Sequence, residues 1–400
     1  MTDILVPTWP LRPYAAPPPP RDWRPTRRLT LLMPFHRETG ATLARSAQAV
    51  AALDYPPELL QVLWLVADGP EHAREAEQAE DARAAAGRPE LDWRILRLPG
   101  MRPKGAALNH AFPYAEGEIV AIIDADVVPD PGQPAEAVWA LEHGYALVQA
   151  EEVGEPGPRL TSRVKTAEDT VWHTSVRGLA RAAGVHVVAG SSVYAWSATW
   201  DGVRPIRSDD VEESYHWSLR LMSQGATTGF LRRPSRVSST DRTGAALRQR
   251  ARWARGQLRA VAVTWPELSP RGRLLGAVTV GSMAARAAMP ALLAAAVVSP
   301  PARKAAAVMV AADVACVLGA RRSPEHRDRV DGLAWALVVP WHLVGAVAVY
   351  RAVWEWARGD RGWHSVRDTA DALPGDPAPG AAAADPTPSA APGTGQGVSR

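Results

Sequence analysis

The sequence predicts an α/β chain: a mostly parallel sheet with helices on both faces, followed by transmembrane helices towards the C-terminus. Three observations predict it. Between residues 29 and 150, short apolar runs recur that are continuous rather than alternating, as in strands buried on both faces. Ala-rich or charged stretches with helical spacing separate them, and such alternation implies parallel crossovers. After residue 270, three long apolar segments follow.

Residues 1–28 read as an extended, Pro-rich arm, with Pro7, Pro10, Pro13 and the run Pro17–Pro20. Leu29–Met33 is the first strand and Ala41–Leu53 the helix after it. Leu60–Ala67 is a second buried strand and Glu71–Ala86 a charged helix. Trp93–Leu98, Ile119–Ile123 and Ala146–Ala150 continue the strands, with helices at Gly105–Tyr114 and Ala135–Glu142 between them. Residues 152–270 are mixed: Val185–Ala189 reads as another strand, Val211–Ser223 and Ala245–Val261 as helices.

The apolar segments are Leu274–Ser299 with one charge (Arg286), Ala305–Ala320 with Asp313, and Gly332–Tyr350 with none. A span needs ~20 mostly apolar residues, so the first and third qualify and the second is short. The arginines flanking them do not fix an orientation. Residues 373–400 are rich in Pro, Gly and Ala and read as a disordered tail. The expected division is therefore an arm (1–28), a catalytic unit (29–265), a membrane region of two or three apolar helices (266–372) and the tail (373–400).

Composition narrows the classes. The 31 glycines and 36 prolines among 400 residues fall short of the ~25–30% typical of general disorder. A net charge of +3 is too small to argue for nucleic acid. The single cysteine, Cys316, excludes an intrachain disulfide and a cysteine zinc site. Residues 1–28 hold no apolar secretory core, and the first segment able to cross a bilayer starts near Leu274. The first 270 residues are thus expected in the cytosol, on a multi-pass protein of the cell membrane.

Ligands in parallel sheets bind beyond the carboxyl ends of the strands. The centre of interest is Ile122-Ile123-Asp124-Ala125-Asp126, a strand ending in two carboxylates, followed by Val127-Val128-Pro129-Asp130-Pro131. Two hard oxygen donors so placed can share a divalent cation with substrate phosphates. Taken alone, the pair is equally a polar strand end before a turn. At neighbouring strand ends stand Met33-Pro34-Phe35-His36-Arg37-Glu38, Asp68-Gly69, and Lys104 at a helix opening, whose free N–H groups suit an anion. Downstream lie Ser208-Asp209-Asp210 and Gln249-Arg250-Ala251-Arg252-Trp253. Gln249 and Arg252 share a helix face; Arg suits a pyrophosphate and an indole face suits a sugar ring. Singly, these are an N-cap and a basic helix at a membrane surface.

The ordered set resembles a family 2 glycosyltransferase with a GT-A, Rossmann-like nucleotide-sugar fold, over about residues 29–262. It is most similar to the processive membrane branch: cellulose, chitin, hyaluronan and Nod-factor chitooligosaccharide synthases. The resemblance implies that Asp68 and Lys104 hold the uridine part of a UDP-sugar, that Asp124 contacts the nucleotide, and that Asp126 ligates Mg²⁺ or Mn²⁺. It implies Asp210 as general base, Asp209 beside it, and Gln249, Arg252 and Trp253 along the diphosphate and acceptor-sugar site. Glu38 matches the acidic end of the first family motif on the donor side.

The implied reaction is inverting transfer from a UDP-sugar, UDP-GlcNAc or UDP-glucose, to a glycan or lipid acceptor, in polysaccharide or oligosaccharide synthesis. The sequence departs from the pattern at Ala67-Asp68, where many members have two acids, and at His36-Arg37, where Tyr-Asn is common. Gly190–Trp196 resembles the acceptor loop but lacks the basic residue often found after it. Two or three helices are few for a polymer channel, so a homo-oligomer, or addition of a single sugar to a lipid or small acceptor, stays open. A nucleotidyltransferase and an inactive membrane protein are the remaining alternatives.

Overall fold

The computed structural model describes residues 18–36, 38, 40–98, 104–206, 212–322 and 330–359. Strand β1 (Leu29–Pro34) lies between β2 (Leu60–Ala67) and β4 (Ile119–Ile122), parallel to both, and β3 (Asp92–Leu98) extends the sheet beyond β2. The register pairs Leu29 with Leu60 on one side and with Ile119 on the other.

These strands alternate between two cores. Leu29, Leu31, Met33, Val62, Trp64, Ile119 and Ala121 point to one, under α1 (Gly40–Ala51), α2 (Ala73–Ala85) and α4 (Gln133–Glu142). Leu32, Leu63, Leu65, Val120 and Ile122 point to the other. That second core is closed by α3 (Lys104–Ala111), α6 (Ser197–Val203), α7 (Glu213–Ser223) and α8 (Thr243–Thr264). Strands apolar at every position are what helices on both faces require.

Beyond β4 the sheet is mixed. β8 (Val193–Trp196) runs antiparallel between β4 and β6 (Leu147–Gln149), and β9 (Thr228–Phe230) pairs parallel to β6. A smaller sheet joins β5 (Val127–Pro129), β10 (Ser235–Ser238) and β7 (Glu152–Glu155).

Two expectations are corrected here. Val185–Ala189 is not a strand; the strand is β8, within the segment read as a loop. Within the region read as mixed, residues 160–183 form the long helix α5 (Leu160–Ala183).

The C-terminal helices are α9 (Pro270–Ala296), α10 (Pro300–Arg321) and α11 (Gly332–Ala357). By length and composition, α9 and α11 can cross a membrane. Val164, Ala167 and Val171 of α5 pack with Val317 and Ala320 of α10 and with Ala334, Trp335 and Val338 of α11. The apolar helices thus sit directly on the α/β unit.

Candidate active site

The strand order places the ends of β1, β2 and β4 side by side, with α3 opening beside them. A lysine at the first residue of a helix opposes the macrodipole, so Lys104 needs compensation. It has three partners. Its Nζ lies 2.6 Å from Asp124 Oδ1 and 3.4 Å from Glu213 Oε1, and donates to the Gly190 carbonyl at 2.6 Å. Burial works to lower the Lys104 ammonium, but Asp124 and Glu213 outweigh it and hold it above the ordinary lysine value. Glu213 sits in the first turn of α7, where a carboxylate is favoured. The Asp124 amide donates to Ser191 Oγ at 2.8 Å, fixing the strand end against the 190–191 segment.

Asp126 opens to the cleft. The surrounding protein and then Asp124 push its carboxyl up to about 6. Glu152, at the start of β7, is pushed up to about 8 by burial, then by Asp124 and Asp126. Glu212 is raised by burial and by Glu213, with Arg252 of α8 pulling the other way. The cleft therefore concentrates carboxylates from β4, β7 and α7 around Lys104 and Arg252. Such an excess of acid is stable only with protons or an added cation.

The donor set suits a hard divalent ion. Asp124 and Asp126 offer only oxygen, and among the described residues no cage of three His, Cys, Asp or Glu is gathered. Two carboxylates without a full cage is the arrangement in which substrate phosphates complete the coordination.

The predicted residues are distributed as follows. Lys104, Asp124 and Asp126 come together, and Arg252 joins them through Glu212. Asp68 is exposed just beyond β2, its amide bonded to the Leu98 carbonyl at 2.9 Å. Glu38 is buried beyond β1, its amide donating to Glu75 Oε1 at 2.8 Å. Gln249 is half-buried on α8, its Oε1 without a hydrogen-bond partner among the described residues. The Trp253 ring faces α5, with Lys165 Nζ 5.6 Å from its centroid. Asp209 and Asp210 lie outside the described residues, as do Arg37 and residues 99–103.

Sequence reasoning missed Glu212 and Glu213; a second acidic pair one residue beyond Asp209-Asp210, opening a helix, was the available signal. Gly256 marks how closely α8 approaches this segment: a β-carbon there would stand 2.4 Å from Glu212 Cβ.

The family model described as glycosyl transferase family group 2 matches residues 119–321, half of the chain, and that of glycosyl transferase family 2 matches residues 30–187. The chain belongs to glycosyltransferase family 2.

This glycosyltransferase is 27% identical over 271 residues to cellulose synthase 2 of Novacetimonas hansenii, covering 65% of this chain and 16% of that protein. It is 24% identical over 264 residues to the cellulose synthase 1 catalytic subunit (UDP-forming) of Komagataeibacter xylinus, covering 64% of this chain and 34% of that one. The chain thus spans about a third or less of the length of these relatives. Among solved structures, it superposes on a mannosyltransferase from Pyrobaculum calidifontis, in complex with GDP-Man and Mn²⁺. The TM-score is 0.56 at 20% identity, over 87% of this chain and 92% of that one. That likeness establishes a mixed, GT-A-like α/β fold for the glycosyltransferase.

Proposed function

We propose that this glycosyltransferase moves a sugar from a UDP-sugar to an acceptor hydroxyl with inversion, at a membrane surface. The observation that carries the reading is the cleft itself. Lys104 is held between Asp124 and Glu213, Asp126 stands open beside them, and Arg252 approaches from α8.

Lys104, Asp68 and Asp124 would hold the nucleotide, with Glu38 behind them. Asp126 with Asp124 would hold Mg²⁺ or Mn²⁺, which supplies charge neutralisation at the diphosphate. Arg252 and Gln249 would take up the negative charge that gathers on the departing diphosphate. Asp210 would accept the proton of the acceptor hydroxyl as its oxygen bonds to the anomeric carbon opposite the leaving group. No covalent enzyme intermediate is required.

The cellulose synthase relatives, one of them described as UDP-forming, favour UDP-glucose over UDP-GlcNAc and polymer synthesis over a single addition. Membrane attachment is supported by α9 and α11, and by Val297 and Val298 at the end of α9, which are 76% and 82% exposed. A cleft on the cytosolic side of that membrane belongs to the same reading.

The test is UDP release by the full chain in membranes, with Mg²⁺ or Mn²⁺, across a panel of UDP-sugars. Release with one sugar, lost on chelation and in Asp210→Asn, is expected; product mass then separates one addition from many. No release, together with no UDP binding that depends on Asp126, would overturn the reading.

A further inference from the structure

Behind α8, one carboxylate gathers partners from three other helices. Glu168 of α5 is 4% exposed. Its Oε2 accepts from Arg250 of α8, and also from Trp341 Nε1 of α11 at 2.6 Å. Its Oε1 lies 3.5 Å from Arg286 Nη1 of α9. These partners are 82, 173 and 118 residues away in sequence. The local pair within α5 is made by Lys165 and Asp169, 2.5 Å apart.

The geometry gives this cluster a direction. Arg250 and Arg252 are two residues apart on one helix, about 200° around its axis. Arg252 acts on Glu212 in the cleft, while Arg250 is drawn to Glu168 on the opposite flank. Trp253 lies one turn beyond Arg250 and faces Lys165, so the same stretch of α5 backs both residues. Arg286 is held at its place by close contact with α11: a β-carbon on Gly345 would stand 2.9 Å from its Cδ. A buried carboxylate with two guanidinium partners and an indole N–H is stable as a set, and removal of one member strands the others.

We propose that Glu168 is a positioning residue for the transferase. It clamps the rotation and depth of α8, so that Gln249 and Arg252 address the cleft, and it ties that helix to the seating of α9 and α11. The apolar helices then support the chemistry as well as the attachment. This inference rests on the transferase reading above.

The test uses the full chain in membranes, with Glu168→Gln and Trp341→Phe, and reads kcat, donor KM, UDP affinity and amide hydrogen exchange. The nucleotide side is built from the ends of β2 and β4 and the opening of α3, and the partners of Glu168 stand on α8, α9 and α11 instead. Glu168→Gln is therefore expected to lower kcat by about 10²-fold while UDP affinity stays within about threefold. Trp341→Phe, which removes only the indole N–H, is expected to shift kcat the same way by about 3–10-fold. Wild-type kcat in both variants overturns the proposal. So does a parallel loss of kcat and UDP affinity, which marks a general structural role. If Glu168→Gln does not accumulate, Trp341→Phe decides alone on the same split. If the wild type turns over no donor, Asp126-dependent UDP binding decides the transferase reading and amide exchange decides the clamp. Faster exchange confined to α8 supports it; unchanged exchange there overturns it.

Discussion

Gly256→Ala places a single methyl between the two halves of the proposed active site. The new carbon would sit 2.4 Å from Glu212 Cβ, 3.2 Å from its amide nitrogen and 3.4 Å from its Cα. Carbon pairs rest at about 3.5–4.0 Å, so something must yield by about 1–1.5 Å. The nearest atom is a β-carbon beside backbone, not the end of a flexible side chain. Relief therefore moves either the segment carrying Asp209, Asp210 and Glu212 or the helix carrying Gln249, Arg252 and Trp253. Either movement changes the spacing between proposed base and leaving-group side. Misplacement by about 1 Å costs about 10²-fold in rate, or ~2.7 kcal/mol in the barrier. Overpacking also costs about 1–3 kcal/mol of stability. Lys104, Asp124 and Asp126 stand on other elements, so UDP affinity is expected to change by no more than about threefold. The assay is steady-state UDP release beside UDP titration and thermal unfolding, with Gly178→Ala as control. Gly178 is exposed on α5, and a methyl there would meet nothing within 4 Å. Its replacement should add about 0.5–1 kcal/mol of stability and leave kcat unchanged. Wild-type kcat in Gly256→Ala, at unchanged unfolding temperature, would refute the reasoning.

Three further outcomes are expected. Lys104→Met leaves Asp124 and Glu213 without their shared cation and should weaken UDP binding about 10–100-fold, read by calorimetry. Asp126→Asn should abolish the divalent-ion dependence of UDP binding, read by titrating Mn²⁺ with and without UDP. His186 is buried against Phe230, its ring nitrogens lacking hydrogen-bond partners among the described residues, and burial pushes it down from 6.5 to about 3. The unfolded chain then binds a proton that the folded one refuses. This stabilising contribution is complete above about pH 6.5 and erodes as pH falls towards 3, by up to ~1.4 kcal/mol per pH unit. His186→Leu should flatten the pH dependence of the unfolding temperature over pH 4–6.5; an unaltered slope would count against it.

Much of the sheet was legible because its strands are apolar at every position. Leu60–Ala67 is a strand at both ends as expected, and β1, β3 and β4 differ from expectation by a residue or so. What escaped reading was decided by partners far along the chain. Helix α5 buries Lys165, Glu168, Thr170 and His173 among its apolar residues, which blurs the helical stripe. Lys165 and Thr170 find partners within α5, but Glu168 makes sense only once Arg250, Arg286 and Trp341 are beside it. β8 is four residues long and finds its place between β4 and β6, neither adjacent in sequence. In the candidate site, the DxD pair at Asp124 and Asp126 was readable because strand periodicity and residue type coincide. Glu151-Glu152 reads in the sequence equally as a solvated strand end and as a stretch near the acceptor, and Glu212 and Glu213 are passed over; the tertiary fold sets Glu213 3.4 Å from Lys104 and brings Glu152 under the influence of Asp124 and Asp126. Arg286, the one charge in the first apolar segment, proves to have Glu168 as its neighbour, while Asp313 pairs with His342 at 2.9 Å.

The long-range ties of α8 also set a timetable for biosynthesis. Arg255 pairs with Glu355 at 3.1 Å across 100 residues, and Glu168 waits 173 residues for Trp341. At about 5–20 residues per second, the ribosome takes about 9–35 s to deliver that indole after the carboxylate has emerged. Arg250 emerges 82 residues after Glu168 and Arg286 118 residues after it, so the set of partners stays incomplete until the indole arrives. A chain arrested before α11 would hold α8 and α5 without Trp341 and Glu355, and the proposed clamp on α8 closes only when α11 is in place.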